Sequence, residues 1–282
     1  MPQTLTAEGT SRTVRTKRWK IHYNEAGEGP TLLLLHGSGP GATGWSNFGA
    51  NLAALADRFR VIAVDMPGWG ASDAVVPQDR DHVEAALQLL DALGIEKAAF
   101  VGNSMGGLTS IAFAVRHPDR ISHLVTMGSG APGVRLSLFS PGGGLSEGMK
   151  ILLKGYRDPS PGTLRELVEI MTYDSAFATD ELVRRRADDA RRRPDHLANF
   201  LAGGLAGGVD PGVTADDLAA LRVPSLHFHG RDDRVVHFEH SLKLVSLIPD
   251  SRLVLMNRCG HWLQLEHADE FNRLVAGFVS AP

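Results

Sequence analysis

The stretch AAFVGNSMGGLTSIAFAVRHP, residues 98–118, carries the clearest structural signal in this 282-residue chain. A short apolar strand pattern runs straight into the turn GNSMG at 102–106, and a helical pattern follows. Small residues at Gly102 and Gly106 allow such a turn to close tightly, so that Ser104 projects its hydroxyl from the end of a sheet. The stretch therefore predicts a nucleophile elbow with Ser104 as the catalytic nucleophile.

Short apolar runs alternate with longer helical patterns on both sides of this elbow, which indicates the class α/β. Buried strands are predicted at 31–35, 60–64, 98–102, 123–127, 225–229 and 252–256, and an alternating run at 19–23 predicts an antiparallel strand before them. Helices are predicted at 48–55, 82–93, 106–117, 238–248 and 268–279. We expect a mostly parallel central sheet with helices on both faces.

The strand pattern stops between residues 129 and 222, where helical patterns are joined by glycines at 142–144, 203–204 and 207–208. We interpret this segment as a helical cap, or lid, inserted between two parts of a core at 1–128 and 223–282. Glycine hinges would make the lid mobile over a site. The alternative is a plain helical excursion without a function in gating.

A serine nucleophile needs a base to accept its proton, and the base needs a carboxylate to orient it. Two predicted strands end in suitable turns: GRDD contains Asp232 and Asp233, and NRCGH ends at His261. We predict Asp233 as the acid, because its spacing from Gly230 turns its side chain towards the site. The order Ser104, Asp233, His261 is that of the α/β-hydrolases.

The loop HGSGPG at 36–41 follows another predicted strand. Its glycines leave backbone N–H groups free to face a developing oxyanion. We predict that the amides of Ser38 and Met105 form the oxyanion hole, and that Gly37 and Gly39 contact the substrate.

Composition excludes several functional classes. Lys plus Arg number 29 and Asp plus Glu 32, a net charge of −3, so no positive excess is available for nucleic acid or an anionic membrane. The lone Cys259 cannot form an intramolecular disulfide, which fits a reducing cytoplasm. No apolar run approaches the roughly 20 residues of a membrane span. These features predict a cytoplasmic protein.

Four motifs, HGSGPGATGWSNF, VGNSMGG, GRDDRVV and CGHWLQLEHADEFNRLV, resemble those of the meta-cleavage product hydrolases, carbon–carbon bond hydrolases of bacterial aromatic catabolism. The resemblance spans about residues 19–279. It implies hydrolysis of a 2-hydroxy-6-oxohexa-2,4-dienoate to 2-hydroxypenta-2,4-dienoate and a carboxylic acid. It implies no cofactor and no metal, and a homodimer or higher homo-oligomer.

Arg186 interrupts an apolar face that Leu182, Val183 and Ala190 form at helical spacing in the predicted cap. A charge in such a place needs a partner, which predicts an anion site. Its neighbours Arg184 and Arg185 fall on other faces and are expected to be solvated. The resemblance implies that Arg186 binds the carboxylate end of the dienoate, together with Asn47, Asn103 and Trp262.

Three positions bear on specificity. His229 stands where tryptophan is common in the family that the chain resembles, and Leu263 replaces a small residue. We expect Leu263 and Met171 to narrow the pocket around the C6 substituent, which leaves alkyl, phenyl and bicyclic groups open.

The resemblance implies that the enol first becomes a ketone, with His261 handling the proton, and that the C6 carbonyl is then attacked. We favour Ser104 as a covalent nucleophile, with direct attack by water as the alternative. A carboxylic ester or lactone hydrolase with the same triad is the competing function, and it has no need of Arg186. A ligand receptor on a hydrolase scaffold is a third hypothesis.

Overall fold

The computed structural model describes residues 5–132, 144–203 and 212–281. Within this part of the chain, eight strands form one sheet with the order β1-β2-β4-β3-β5-β6-β7-β8. The strands are β1 (Ser11–Arg15), β2 (Lys20–Ala26), β3 (Thr31–Leu35), β4 (Arg60–Val64), β5 (Ala98–Asn103), β6 (Ile121–Met127), β7 (Ser225–Gly230) and β8 (Ser251–Met256).

The sheet is mostly parallel. Strands β3 to β8 pair in parallel, whereas β1 pairs with β2 and β2 with β4 in antiparallel fashion. The predicted parallel set and the antiparallel strand before it are confirmed. Strand β1 was not predicted, because it is an edge strand with largely exposed side chains and no apolar pattern.

Helices pack on both faces of the sheet. They are α1 (Ala7–Thr10), α2 (Gly44–Ala56), α3 (His82–Ala92), α4 (Met105–Arg116), α5 (Glu147–Arg157), α6 (Pro161–Met171), α7 (Asp180–Arg192), α8 (Pro194–Gly203), α9 (Ala215–Ala220), α10 (Glu239–Leu247), α11 (Leu263–Glu266) and α12 (Ala268–Val279). Among the described residues, no helix is both long and apolar enough to cross a bilayer.

Alternate residues of the central strands enter two separate apolar cores. In β3, Leu33 and Leu35 face one core with helices α3 and α4, while Leu32 and Leu34 face the other with α2 and α12. Every residue of β3 is buried, as expected for a parallel strand covered on both sides. Because helices cover both faces of the sheet, a site can form among the loops at the carboxyl ends of the strands.

The segment between β6 and β7 contributes helices α5 to α9 and, in its described part, no strand. Their apolar side chains join the core on the α3 and α4 side of the sheet. Of the glycines proposed as hinges, Gly142, Gly143, Gly204, Gly207 and Gly208 lie outside the described residues.

Candidate active site

Ser104 lies at the junction of β5 and α4 with φ +53° and ψ −112°. Backbone strain of this kind costs on the order of 1–3 kcal/mol and concentrates at functional sites. A side chain at Gly102 would place its Cβ 2.2 Å from the carbonyl oxygen of Gly106, and one at Gly106 would lie 2.1 Å from that of Leu35. The tight turn that the sequence predicts is present, and both glycines are required for it.

A histidine and a carboxylate from two other strand ends meet near this turn. His261 Nδ1 lies 2.7 Å from Asp233 Oδ2, and both side chains are buried. Asp233 follows β7 and His261 follows β8, so parallel pairing brings the two loops to one edge of the sheet. Oδ1 of Asp232 instead lies 3.8 Å from Nη2 of Arg231. Because Asp233, and not Asp232, contacts the histidine, the geometry supports the choice of Asp233.

The Asp233 carboxylate accepts hydrogen bonds on both oxygens. Oδ1 accepts from the N–H groups of Val235 and Val236 at 2.8 and 3.0 Å, and Oδ2 lies 2.7 Å from His261 and 3.3 Å from His229 Nε2. Burial raises the pKa of Asp233, but the charge of His261 and the hydrogen bonds from both histidines outweigh it and hold the pKa below its ordinary value. Asp233 is therefore ionised at neutral pH and oriented to accept the His261 Nδ1 hydrogen.

His229 is a fully buried neighbour of this carboxylate. Its Nε2 lies 2.8 Å from the Val236 carbonyl oxygen, and its Nδ1 lies 2.7 Å from Ser241 Oγ. A carbonyl oxygen only accepts, so Nε2 carries a hydrogen that is shared with Asp233. The unusual residue at this position thus contacts the predicted acid.

The glycine-rich loop at 36–41 is held at its first residue. His36 Nε2 accepts from the N–H of Met66 at 3.0 Å, so its Nδ1 carries the hydrogen and donates to the Gly37 carbonyl oxygen at 2.8 Å. The N–H of Ser38 has no hydrogen-bond partner within 5–132, 144–203 or 212–281. Met105 is the first residue of α4, where N–H groups lack partners inside the helix. Both predicted amides are thus suited to receive an oxyanion.

Arg186, with 1% exposure, is the largest side chain of the described chain that is less than 2% exposed. Its Nε and Nη2 have no hydrogen-bond partner among the described residues. Its guanidinium carbon lies 4.1 Å from the ring centroid of Trp262, a cation–π contact. Burial, helped by Arg185, lowers the pKa of Arg186 to about 10, so the side chain is still charged at neutral pH.

Asn103 Nδ2 donates to the carbonyl oxygens of Met127 and His261 at 3.2 and 3.3 Å, which links the elbow to the histidine loop. Its buried Oδ1 has no partner in the described chain and would lie 2.8 Å from a Cβ placed on Gly37. Asn103 therefore offers a hydrogen-bond acceptor to a ligand. Asn47 Nδ2 donates to the Thr43 carbonyl oxygen at 3.1 Å.

Ser104, His261, Arg186 and Asn103 line one small cavity, with a volume of about 10 Å³. Core loops and the helices between β6 and β7 both contribute to its wall. Ten residues predicted from the sequence line it: Gly37, Ser38, Gly39, Asn47, Asn103, Ser104, Met171, Arg186, His261 and Trp262.

The expectation that Leu263 narrows the pocket is wrong. Leu263 is 1% exposed and packs in the core on the α2 and α12 side of the sheet, and it is absent from the cavity wall. The first turn of α11 points it away from the neighbouring Trp262. Met171 does line the cavity, and its carbonyl oxygen also accepts from the N–H of His261 at 2.7 Å.

Sequence reasoning missed four contributors to this region. Leu152 and Ala42 line the cavity. His229 touches Asp233, and Gly128, with φ +55°, lies so close that a Cβ there would be 2.8 Å from His261 Nδ1. Only His229 carried a signal, as a departure from the family pattern; the others depend on tertiary packing.

No group of three or more His, Cys, Asp or Glu side chains that could hold a metal ion occurs in the described part of the chain. His227 is fully buried, with Nδ1 2.8 Å from Thr126 Oγ1, and Cys259 is buried in the apolar core.

A serine at a strained strand–helix turn, with a histidine and a carboxylate from later strand ends, defines an α/β-hydrolase. Residues 30–268 match the family described as alpha/beta hydrolase fold, which confirms the class.

Three relatives refine this assignment. The chain is 44% identical to 2-hydroxy-6-oxo-6-phenylhexa-2,4-dienoate hydrolase of Comamonas testosteroni, over 92% of this chain and 91% of the relative. It is 40% identical to 2-hydroxy-6-oxononadienedioate/2-hydroxy-6-oxononatrienedioate hydrolase 1 of Dechloromonas aromatica, over 99% and 98% of the two chains. The meta-cleavage product hydrolase CumD of Pseudomonas fluorescens superposes with a TM-score of 0.85 at 32% identity, over 95% and 96%. The chain belongs to the meta-cleavage product hydrolases.

Proposed function

We propose that this enzyme hydrolyses the C5–C6 bond of a 2-hydroxy-6-oxo-6-substituted-hexa-2,4-dienoate. The observation that supports it best is the buried, charged Arg186, whose Nε and Nη2 have no hydrogen-bond partner among the described residues, in the same cavity as Ser104 and His261. A buried cation without a partner is costly unless a ligand supplies the anion. Relatives that are 40–44% identical are named for dienoates of this kind.

Arg186 and Trp262 would hold the carboxylate end of the dienoate. The free Oδ1 of Asn103 would accept a hydrogen bond from the 2-hydroxyl group. With the anionic end fixed, His261 would move a proton from the enol oxygen to C5, which converts the dienol to the ketone. In the cleavage step that follows, the electrons of the C5–C6 bond flow towards this end of the substrate, which Arg186 stabilises.

Ser104 Oγ would next attack the C6 carbonyl carbon while His261 Nε2 accepts its proton and Asp233 stabilises the imidazolium. The N–H groups of Ser38 and Met105 would bind the oxyanion at C6. When the oxyanion collapses, the C5–C6 bond breaks and its electron pair moves through the C3=C4 double bond to the C2 carbonyl oxygen. That oxygen takes the proton from His261, and 2-hydroxypenta-2,4-dienoate leaves. Water then releases the carboxylic acid from Ser104.

Residues 129–222 would act as a lid between the two parts of the core, 1–128 and 223–282. Leu152, Met171 and Arg186 from this segment close a cavity that has room for about one water molecule. A dienoate can enter only if helices α5 to α7 move away from the core loops. We also propose that the enzyme is cytoplasmic, as its composition indicates. The family resemblance implies a homodimer or higher homo-oligomer of aromatic hydrocarbon catabolism.

The test is the variant Arg186→Gln, with Arg185→Gln as the matched control on the exposed face of α7. Loss of a charged hydrogen bond to the dienoate should raise its KM about 30-fold, equivalent to about 2 kcal/mol. Arg185→Gln should behave like the parent enzyme.

Hydrolysis of a small neutral ester, measured on the same samples, separates this proposal from the alternative. Arg186→Gln should keep its ester hydrolysis, because the ester has no carboxylate to bind. If Arg186→Gln retained parental kinetics on dienoates, the anion site would be refuted. If the parent hydrolysed the ester but no dienoate, an ester or lactone hydrolase would be the better description.

A further inference from the structure

Tyr156 links a helix of the lid segment to the glycine-rich loop of the core. It lies on α5 with 3% exposure. Its Oη donates to the carbonyl oxygen of Ser38 at 2.5 Å and accepts from Trp69 Nε1 at 3.0 Å. Indole N–H only donates and a carbonyl oxygen only accepts, so the direction of both bonds is fixed.

The Tyr156 ring is held as firmly as its hydroxyl group. It stacks on Phe200 of α8 with centroids 3.8 Å apart and planes 9° from parallel. The stack holds the Tyr156 ring between α5 and α8, and its hydroxyl group reaches Ser38 from this rigid position.

The Ser38 segment needs an external support because glycines flank it. The carbonyl oxygen of Gly37 accepts from His36 Nδ1 at 2.8 Å, and that of Gly39 accepts from the N–H of Ala42 at 3.1 Å. A Cβ placed on Gly39 would meet no atom within 4 Å, so packing does not restrain the loop there. The bond from Tyr156 acts on Ser38 itself, the residue whose N–H would bind the oxyanion.

We propose that Tyr156 is a positioning residue that aligns the Ser38 N–H for carbon–carbon bond cleavage. The inference rests on the proposed function. Tyr156 is not part of the cavity wall, so it acts through Ser38 and not on the substrate. An oxyanion forms at C6 during cleavage but not during ketonisation, so Tyr156 serves the second step only. It also makes the oxyanion hole depend on the docking of α5 against the core.

The test compares Tyr156→Phe, which retains the ring stack, with Tyr173→Phe, the same change at a half-exposed position. Single-turnover mixing with 2-hydroxy-6-oxo-6-phenylhexa-2,4-dienoate would follow dienolate absorbance for ketonisation and quenched carboxylic acid for cleavage. We expect cleavage to slow about 10-fold or more in Tyr156→Phe, less than for deletion of an oxyanion donor. Ketonisation and KM should stay parental, and Tyr173→Phe should match the parent throughout.

Tyr156→Phe also removes the partner of Trp69 Nε1, so Trp69→Phe is the second variant. It loses that bond but keeps the bond to Ser38, and its cleavage rate should stay close to parental. Equal slowing of both steps in Tyr156→Phe, or no slowing of either, would overturn the inference.

Hydrolysis of 4-nitrophenyl acetate distinguishes failure of this inference from failure of the proposed function. It requires the oxyanion hole but not the anion site, and it should fall in Tyr156→Phe by a factor similar to that for cleavage. If the parent enzyme turned over the ester but no dienoate, the proposed function would fail. The ester result alone would then decide the role of Tyr156, and an unchanged ester rate would refute it.

Discussion

At the scale of single residues, the site combines strain and unpartnered charge that a purely structural residue would avoid. Ser104 holds a left-handed backbone conformation, and Arg186 is buried without a hydrogen-bond partner for Nε or Nη2 in the described chain. Both cost folding free energy. Each is understandable as part of a site that is completed by the substrate.

Gly128 allows the predicted histidine–carboxylate pair to pack against the end of β6. Gly128→Ala would add a Cβ 2.8 Å from His261 Nδ1 and 3.2 Å from Asp233 Oδ2, at a backbone with φ +55°. The displaced imidazole should reduce kcat by on the order of 100-fold, because misplacement by about 1 Å can have that effect. Steady-state kinetics should show KM nearly unchanged.

Gly130→Ala is the control for this substitution. Its added Cβ would make only an ordinary contact, 3.6 Å from Leu108, and Gly130 has no positive φ. Comparable loss of kcat in the two variants would show that the position of the imidazole is not the cause.

At the scale of helices and strands, predictability follows the strength of local patterns. Strands β3, β4, β5 and β7 are almost entirely buried, so their apolar sequences predict them closely. The exposed edge strand β1 has no such pattern. The lid helices could be predicted as a region, but their packing over Ser104 depends on contacts between residues far apart in sequence.

The same distinction applies to the candidate site. Ser104, His261 and Asp233 follow recognisable strands, so their convergence could be predicted from the order of elements. Leu263 was misassigned because it packs in the core on the α2 and α12 side, whereas the adjacent Trp262 packs in the core on the α3 and α4 side. Tyr156 could not be predicted, since nothing near it in sequence indicates that its hydroxyl group reaches Ser38.

At the scale of the whole molecule, buried neutral histidines make the fold sensitive to acid. Burial lowers the pKa of His227 from 6.5 to about 3 and that of His82 to about 4. Below pH 6.5 these histidines bind protons in the unfolded chain but not in the folded chain. Their contribution to the free energy of unfolding is therefore fully present above pH 6.5 and is lost as the pH falls towards 3.

Between pH 7 and pH 5, His227 alone should reduce the free energy of unfolding by about 2 kcal/mol. Urea unfolding at the two pH values would measure this loss for the parent and for His227→Gln, which cannot titrate. The parent should lose more stability than the variant, and equal losses would contradict the assignment of a neutral buried imidazole.

The most direct test of the proposed function measures the products from 2-hydroxy-6-oxo-6-phenylhexa-2,4-dienoate with the purified enzyme and its Ser104→Ala variant. The parent should release benzoate and 2-hydroxypenta-2,4-dienoate in equal amounts, while Ser104→Ala should bind the dienoate and release no acid. Benzoate formation at the same rate by both proteins would contradict a serine-dependent reaction. If the parent hydrolysed esters but released no carboxylic acid from this or from alkyl-substituted dienoates, carbon–carbon hydrolysis would be contradicted.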